Sequence, residues 1–215
     1  MNATLPDLFF PSRCAFCGKL REDGLCPACE ARLPRLNKPL LTDAPYGKCA
    51  VPLRYDGAVR EALLTLKFRK GRYAARGLGA LLAQCAAEEL GGEFDLVTWV
   101  PVSRRRLRER GFDQGYLLAR EAARLWETVP TPLLEKHRDN PPQSGLSAAE
   151  RRANVLGAYH TVSPGELSGA RVLLIDDIVT TGATLTECVR TLLDGGAESV
   201  VCAAVASAST ESYGD

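Results

Sequence analysis

Hydrophobic and polar residues are arranged along this chain in blocks that predict helices and buried strands in turn. Apolar residues recur at helical spacing from about Ala58 to Lys70, from Ala74 to Leu90 and from Asp113 to Trp126. A continuous apolar run at Val172 to Ile175 predicts a strand that is covered on both faces. Leu96 to Val102 is predicted as another strand. Because strands that alternate with helices usually form a mainly parallel sheet, we predict an α/β fold.

The strand predicted at Val172 to Ile175 leads into a segment rich in acids and hydroxyl side chains. Asp176 and Asp177 come first, where the strand is expected to end, and the loop Thr180-Thr181-Gly182-Ala183-Thr184 follows. Apolar residues then recur at helical spacing from Leu185 to Leu193, so the loop opens a helix. Backbone N–H groups at a helix start, hydroxyl donors and a glycine that permits close approach suit a phosphate monoester. Carboxylates only accept hydrogen bonds, so the acids suit sugar hydroxyls or a magnesium ion.

An ordinary strand-to-helix turn, in which Asp177 or Thr181 merely caps the helix, is the alternative interpretation of this segment. Capping needs one such residue, whereas the segment contains the whole set. It resembles the phosphoribosyl-pyrophosphate (PRPP) motif of type I phosphoribosyltransferases, with four apolar residues, two acids, two spacers and Thr-Thr-Gly-Ala-Thr. The resemblance implies that Asp176 and Asp177 bind the ribose hydroxyls and support catalysis, and that Thr180 to Thr184 surround the 5′-phosphate. Magnesium would enter with PRPP, without a dedicated protein cage.

Four of the eight cysteines lie within the first thirty residues, as two Cys-x-x-Cys pairs. The pairs are Cys14 with Cys17 and Cys26 with Cys29, and eight residues separate them. This spacing lets four thiolates meet around one tetrahedral zinc ion. Four protein ligands leave no open position, which predicts a structural zinc in a segment too small to fold alone. Two disulfides, a redox-active pair and an iron–sulfur cluster are the alternatives that these residues leave open.

A proline-rich passage follows the cysteine pairs and breaks any regular pattern. Pro34, Pro39 and Pro45 lie among polar residues and mark a linker. We therefore predict two units. Residues 1–48 form a zinc-ribbon-like module with its linker, and residues 49–215 form the domain that contains the phosphate-binding loop.

An arginine-rich segment follows the strand predicted at Leu96 to Val102. Five of the seven residues from Arg104 to Arg110 are arginines. Ligands of open parallel sheets bind beyond the carboxyl ends of the strands, so this segment is expected beside the phosphate-binding loop if the two strands are neighbours. Guanidinium groups there would suit a pyrophosphate leaving group. A solvated helix face and a nucleic-acid contact surface are the other interpretations of the same residues.

Several short segments together resemble one family, the ComF-type competence proteins. The matching segments are Pro101-Val-Ser103, Arg110-Gly-Phe-Asp-Gln114, Tyr55-Asp-Gly57, Lys67-Phe68, Gln143 and Glu150-Arg-Arg-Ala-Asn154. The family resemblance implies a type I phosphoribosyltransferase-like sheet flanked by helices, a four-cysteine zinc module before it, and a link to the uptake of single-stranded DNA. It also implies that Val102, Ser103 and Arg104 bind pyrophosphate, in a loop where a strained or cis non-proline bond would fit.

A segment without periodicity, from Lys136 to Leu146, precedes a capping-box helix start at Ser147 to Glu150. The resemblance implies that this segment folds over the bound phosphates as a lid. The basic side chains placed to help are Lys136, Arg138, Arg151 and Arg152. An ordinary long surface loop is the alternative.

Composition narrows the function classes only a little. The 27 basic and 26 acidic residues leave a net charge of +1, so the chain has no overall bias towards nucleic acid or membrane. Because the first residues lack a basic region, we expect no secretion signal and a cytoplasmic location. Ser199 to Ser209 is too short to span a bilayer, so we expect no membrane insertion. His137 and His160 have no sequence partner and are interpreted as surface or core residues.

Three functions remain open from the sequence. The first is a phosphoribosyltransferase that displaces pyrophosphate from PRPP with an unknown acceptor. The second is a non-catalytic module that binds PRPP, a nucleotide or single-stranded DNA, with competence-machinery proteins as partners. The third is a salvage enzyme that consumes a free nucleobase. The aromatic residues are 7% of the chain and are scattered instead of interleaved with the arginines, which disfavours a platform for single strands.

Overall fold

The computed structural model describes residues 13–21, 23–67, 71–138 and 153–208. The strands are β1 (Leu40–Leu41), β2 (Cys49–Ala50), β3 (Leu53–Arg54), β4 (Leu96–Trp99), β5 (Leu134–Lys136), β6 (Tyr159–Thr161), β7 (Arg171–Val179) and β8 (Ser199–Ser207). The helices are α1 (Pro27–Glu30), α2 (Gly57–Leu66), α3 (Ala74–Leu90), α4 (Arg104–Arg110), α5 (Gln114–Leu125), α6 (Pro164–Leu167) and α7 (Ala183–Asp194).

The main sheet is mostly parallel, as the alternation of strands and helices predicts. Its order is β1-β2-β8-β7-β4, and β3 also pairs with β8. Strands β2, β3 and β7 run parallel to β8, and β4 runs parallel to β7, whereas β1 is antiparallel to β2. Strands β5 and β6 form a separate antiparallel pair. The carboxyl ends of β4 and β7 are therefore neighbours, which brings the arginine-rich segment beside the phosphate-binding loop.

Strand β7 is buried on both faces, which explains its continuous apolar run. Leu173 and Ile175 face a core that contains residues of α2, α3 and α5. Val172 and Leu174 face a second core that contains residues of α7 and the β5–β6 pair. All four side chains are fully buried, and shortening one such leucine to alanine typically costs about 2–5 kcal/mol.

The sequence pattern predicted that this strand ends at Asp176 and Asp177. That prediction is wrong, because the strand continues to Val179. Strand β8 extends equally far and pairs Asp176 with Ala204, Ile178 with Ala206 and Val179 with Ser207. Backbone pairing with β8 thus outweighs the change from apolar to acidic side chains. The acids stand on rigid sheet rather than on a loop.

The predicted helices are present, with small changes at their ends. The helix from Ala74 to Leu90 is confirmed over its full length. The helix expected from Ala58 to Lys70 is α2, which ends at Leu66. Strand β4 stops at Trp99 rather than at Val102 because the chain turns there into α4. The helix expected from Asp113 is α5, and Asp113 is its N-cap.

The cysteine-containing module packs directly on helix α3. Gly77 of α3 lies so close to the carbonyl oxygen of Gly24 that a β-carbon there would overlap it. Ala15, between two of the cysteines, is buried in the same core as α3. The passage predicted as a linker also contributes Leu40–Leu41 to the main sheet as β1. A boundary near residue 48 stays a prediction, because the two units share this core.

Candidate functional site

The loop from Thr180 to Thr184, hereafter the phosphate loop, joins β7 to α7. The loop opens a helix, as predicted: α7 begins within it, at Ala183, and the N-cap Gly182 has φ of 70°. The backbone carbonyl of Gly182 accepts hydrogen bonds from the backbone N–H of Thr186 at 2.8 Å and from its hydroxyl at 3.0 Å. The loop thus consists of small residues at a helix N-terminus, an arrangement that suits an anionic group.

Asp176 and Asp177, hereafter the acid pair, precede the phosphate loop. The backbone N–H of Asp177 donates to Oδ1 of Asp176 at 2.8 Å. Burial and the neighbouring Asp177 carboxylate raise the pKa of Asp176 well above its ordinary value. Oδ2 of Asp177 lies 3.3 Å from Nζ of Lys67, yet within the described residues it is buried without a hydrogen bond. An acceptor in this state has capacity for a hydroxyl or a metal-bound water.

A cavity of about 410 Å³, hereafter the phosphate pocket, collects these groups in one place. Its walls include the acid pair, the whole phosphate loop, Pro101 and Val102. Four cationic side chains also line it, namely Lys67, Arg106, Arg110 and Lys136. The pocket therefore combines hydroxyl donors, acceptors for hydroxyls and positive charge, which a phosphorylated sugar requires.

The electrostatics of the phosphate pocket favour an anion. Burial and the nearby Arg106 charge lower the pKa of Arg110. Arg110 also donates to Oε1 of Gln114 at 2.7 Å, which fixes its position. Nζ of Lys136 lies 5.1 Å from the ring centroid of Tyr159. An anion bound between Arg106 and Arg110 would reduce the repulsion between these two partly buried charges.

The three residues that the family resemblance assigned to pyrophosphate lie in different surroundings. Val102 lines the phosphate pocket. Ser103 is the buried N-cap of α4 and accepts from the backbone N–H of Arg106 at 3.4 Å. Arg104 is paired with Glu135 and lines a neighbouring cavity rather than the phosphate pocket. A pyrophosphate role for these residues stays a prediction. The peptide bonds of the described residues are all trans, so the cis bond that the resemblance suggested is not found there.

Asp113 holds the loop between β4 and α4 in place. Its Oδ2 accepts from the backbone N–H of Val102 at 2.9 Å and from the indole N–H of Trp99 at 3.3 Å. Its Oδ1 accepts from the backbone N–H of Tyr116 at 3.2 Å and caps α5. Burial raises the pKa of Asp113, although these donors partly offset that effect. One carboxylate therefore joins a strand, a loop and a helix.

The four cysteines of the N-terminal module meet as the spacing predicts. The sulfur atoms of Cys14, Cys17, Cys26 and Cys29 all lie within 4.8 Å of one another. Burial raises the pKa of Cys14, but hydrogen bonds from backbone N–H groups, first that of Cys17, outweigh it and bring the pKa to about 6. Burial and the neighbouring thiols raise the pKa of Cys29 to about 12. Four converging thiols of this kind suit a structural zinc ion, which would hold them all as thiolates.

The remaining cysteines and histidines divide between core and surface. Cys85, Cys188 and Cys202 are buried and pack in the hydrophobic cores. His137 and His160, which have no partner in sequence, are close in space, with their Nδ1 atoms 3.2 Å apart. Most of the predicted lid, including Gln143, the capping box at Ser147 to Glu150, and Arg151 and Arg152, lies outside the described residues.

Sequence reasoning did not identify several residues of the phosphate pocket. Tyr55 and Lys67 were recognised only as parts of family-like segments, and Arg106 and Arg110 only as members of an arginine cluster. Helical spacing places these two arginines on one face of α4, but it does not tell which face of the helix meets the pocket. Residues four apart on a helix share a face, and both are half-buried whereas Arg104, Arg105 and Arg108 are exposed.

Two family models match the chain in separate regions. The double zinc ribbon domain matches residues 5–60, and the phosphoribosyl transferase domain matches residues 111–213. In the described part of the chain, no helix combines the length and the apolar character needed to cross a bilayer.

Curated relatives match over much of the chain. DNA utilization protein YhgH of Salmonella typhimurium is 29% identical over 201 residues, which are 87% of this chain and 86% of that protein. Competence protein ComFC of Bacillus subtilis is 27% identical and covers 85% of this chain and 72% of its own length. Competence protein F of Haemophilus influenzae is 36% identical over 104 residues, 47% of this chain and 45% of that protein, so this match spans less than half of either.

Among solved structures, the phosphoribosylpyrophosphate amidotransferase from B. subtilis aligns with a TM-score of 0.44 and 27% identity, over 62% of this chain and 26% of that one. Phosphoribosylpyrophosphate synthetase from Mycobacterium smegmatis aligns with a TM-score of 0.38 and 22% identity, over 62% and 34%. Alignments this partial say nothing about function. The two domain matches, their order along the chain and the competence relatives together place this chain in the ComF family.

Proposed function

We propose that this chain binds PRPP with Mg²⁺ in the phosphate pocket, and that it is a cytoplasmic phosphoribosyltransferase-like protein of DNA uptake or DNA use. One observation carries the proposal: the phosphate loop, the acid pair and four cations line a single cavity of about 410 Å³. The link to DNA rests on the relatives, which are named competence and DNA utilization proteins.

Each part of PRPP has a chemical counterpart among the lining residues. The phosphate loop suits the 5′-phosphate, because its helix N-terminus and hydroxyls are donors. The acid pair suits the two ribose hydroxyls, since carboxylates accept hydrogen bonds and Oδ2 of Asp177 has none among the described residues. Val102, Arg106 and Arg110 line the same pocket and suit the diphosphate. Magnesium, when bound, would neutralise part of the diphosphate charge and is expected to be held mainly by the ligand's oxygens.

If the chain is an enzyme, its residues act by positioning and charge stabilisation. The bond between ribose C1 and the diphosphate breaks, and the acceptor's nucleophilic atom bonds to C1 through an oxocarbenium-like transition state. Arg106 and Arg110 stabilise the negative charge that the leaving diphosphate gains. The acid pair holds the sugar while positive charge grows on its ring. No side-chain nucleophile is required, and the acceptor is not identified by the lining residues.

Calorimetric titration with PRPP, with and without Mg²⁺, tests the binding proposal. The Asp176→Ala, Asp177→Ala double variant should lose measurable binding. Asp95→Ala is a matched control, because Asp95 is an exposed acid paired with Arg171 outside the phosphate pocket. Unchanged PRPP affinity in the double variant, with its fold intact by circular dichroism, would refute the assignment.

Turnover is tested separately from binding. The purified chain is incubated with PRPP, Mg²⁺ and a panel of nucleobases and amines, and pyrophosphate release is followed. Release with an amine or another nucleophile favours a transferase, and PRPP-dependent consumption of a free base favours the salvage enzyme. Binding of PRPP without release favours a sensor or partner protein.

The relatives' names favour one second candidate, a single-stranded-DNA-binding partner of competence-machinery proteins. The basic helix α4 carries exposed arginines that would contact DNA phosphates. Such contacts release counterions, so affinity for an oligonucleotide should fall steeply as salt rises. Salt-independent or absent oligonucleotide binding would leave only the PRPP proposal.

A further inference from the structure

A second cavity, of about 500 Å³, lies next to the phosphate pocket and shares Pro101 and Val102 with it. We call it the aromatic cavity, because Trp99, Phe112 and Tyr116 line it. Its walls also include three arginines, Arg72, Arg104 and Arg120. The three aromatics belong to one connection of the chain: Trp99 ends β4, Phe112 precedes the N-cap of α5, and Tyr116 lies in its first turn.

The rings of the aromatic cavity present surfaces on which a flat ligand can stack. The ring centroids of Trp99 and Tyr116 are 5.1 Å apart, at an interplanar angle of 60°. Tyr116 is 37% exposed, and the adjacent Leu107 is 44% exposed. Because these apolar surfaces stand open beside a cavity of ligand size, a planar group would gain both stacking and desolvation there.

The charges around the aromatic cavity suit an anionic group on that ligand. The guanidinium of Arg72 lies 5.4 Å from the ring centroid of Phe112, and no ion pair of Arg72 is found in the described part of the chain. Arg104 is already paired with Glu135, and Arg120 with Glu121. Arg72 is thus the cation with the greatest capacity for a phosphate.

Two acids line the cavity wall, Asp113 and Glu135, and neither opposes such a ligand. Glu135 is paired with Arg104. Both carboxylate oxygens of Asp113 accept hydrogen bonds from the protein, from Val102, Trp99 and Tyr116. These bonds fix the indole and the start of α5, so the walls are preorganised. Preorganised walls lower the entropy that binding must offset.

We propose that the aromatic cavity binds a nucleobase together with its phosphate, with stacking on Trp99 and Tyr116 and the phosphate on Arg72. The same chemistry is offered by a free mononucleotide and by one unit of a single strand. An apolar ligand would make no use of the arginines, and phosphate alone would make no use of the rings. The site is distinct from the phosphate pocket and does not depend on PRPP binding there.

The test follows tryptophan fluorescence and calorimetry during titration with dTMP, thymidine and an oligothymidylate. Base stacking on one aromatic side chain is worth enough that Tyr116→Ala should weaken dTMP binding by roughly tenfold, whereas Tyr116→Phe should retain it. Arg72→Ala should weaken dTMP but leave thymidine unchanged. Arg105→Ala is the matched control, since Arg105 pairs with Glu109 and lines neither cavity.

The arms of the experiment separate the sources of the ligand. A much tighter, salt-sensitive affinity for the oligothymidylate assigns the site to a strand, and equal affinity for dTMP assigns it to free nucleotides. Equal binding to wild type and Tyr116→Ala, or binding to neither, overturns the proposal. The proposal is also overturned if sedimentation shows a dimer that Tyr116→Ala dissociates and titration shows no nucleotide binding. PRPP titration of the same variants should be unchanged, which keeps this result independent of the proposed function.

Discussion

The ring of Tyr46 lies against Gly182 so closely that a β-carbon on Gly182 would overlap its Cδ1 and Cε1 atoms. Tyr46 is 5% exposed and belongs to the passage between the cysteine module and the sheet. One side of the phosphate loop is therefore formed by a residue far away in sequence. Both this ring and the φ of 70° require glycine at position 182.

Gly182→Ala should destabilise the fold by about 3 kcal/mol, because a left-handed backbone angle and an overpacked contact both oppose it. Gly157→Ala is the control, since Gly157 has φ of 63° but open space around it. It should cost only about 1 kcal/mol. Urea unfolding measures both variants, and equal losses would show that the Tyr46 contact has no effect.

Gly77→Ala tests how the cysteine module is held on α3. Alanine inside a helix normally stabilises it by roughly 0.5–1 kcal/mol relative to glycine. Here the carbonyl of Gly24 occupies the space, so we expect the opposite sign and faster proteolysis of residues 13–31. Gly165→Ala, in helix α6 with nothing within 4 Å, should show no such loss.

Zinc removal should loosen the same module. The four cysteine sulfurs lie close enough for one ion, so Cys14→Ser or a strong chelator should lower the zinc content and the thermal midpoint together. Cys85→Ser is the control, because this buried cysteine lies outside the cluster and its loss should leave the zinc content unchanged. Mass spectrometry of the metal and thermal unfolding check the expectation. A zinc-free protein that melts as wild type would contradict it.

Asp176→Asn should stabilise the free protein at neutral pH while abolishing PRPP binding. The pKa of Asp176 is raised by burial and by Asp177, so its contribution to stability is fully present below the ordinary pKa and is lost as pH rises through the folded value. The advantage of the asparagine variant should therefore grow as pH rises from the acidic range. Unfolding measured over a pH series checks this.

Asp95→Asn gives the opposite trend and serves as the control for that series. Hydrogen bonds from Arg171 lower the pKa of Asp95, so its contribution is present above the ordinary pKa and disappears as pH falls. Parallel pH curves for the two variants would show that the raised pKa of Asp176 does not affect folding.

Asp113→Ala should cost about 2–3 kcal/mol, since it removes an N-cap and leaves buried donors of Val102 and Trp99 without an acceptor. PRPP affinity should fall as well, because the Val102 loop loses its anchor. Asp56→Ala, at the exposed N-cap of α2 without a side-chain cap bond, is the control with a small effect. Calorimetry and urea unfolding measure the two effects separately.

The phosphate loop was predictable because its signal is local. A buried strand, two acids and a small-residue loop before a helix are all contained in Val172 to Thr184. The cysteine cluster was predictable for the same reason. The strand's continuation past Asp177 was not, because it depends on the length of β8, which lies after the next helix.

The cations of the phosphate pocket could not be assigned from the sequence, because the rotation of α4 decides which arginines face the pocket. Residues two apart on a helix differ by about 200°, so Arg104 and Arg106 cannot share a face. Arg106 points to the phosphate pocket, and Arg104 to the aromatic cavity. Lys67 reaches Asp177 from helix α2's end, and His137 meets His160 across a strand pair. Such contacts arise only from long-range packing.

Val102 lines both cavities, and its backbone N–H donates a hydrogen bond to the carboxylate of Asp113. A ligand that moves Val102 from within one cavity therefore also changes the shape of the other cavity. If a ligand in one cavity moves Val102, the affinities of the two cavities are coupled, and the coupling free energy is equal in both directions. Asp113, which holds Val102 through its backbone N–H, would then transmit the effect of one ligand to the other.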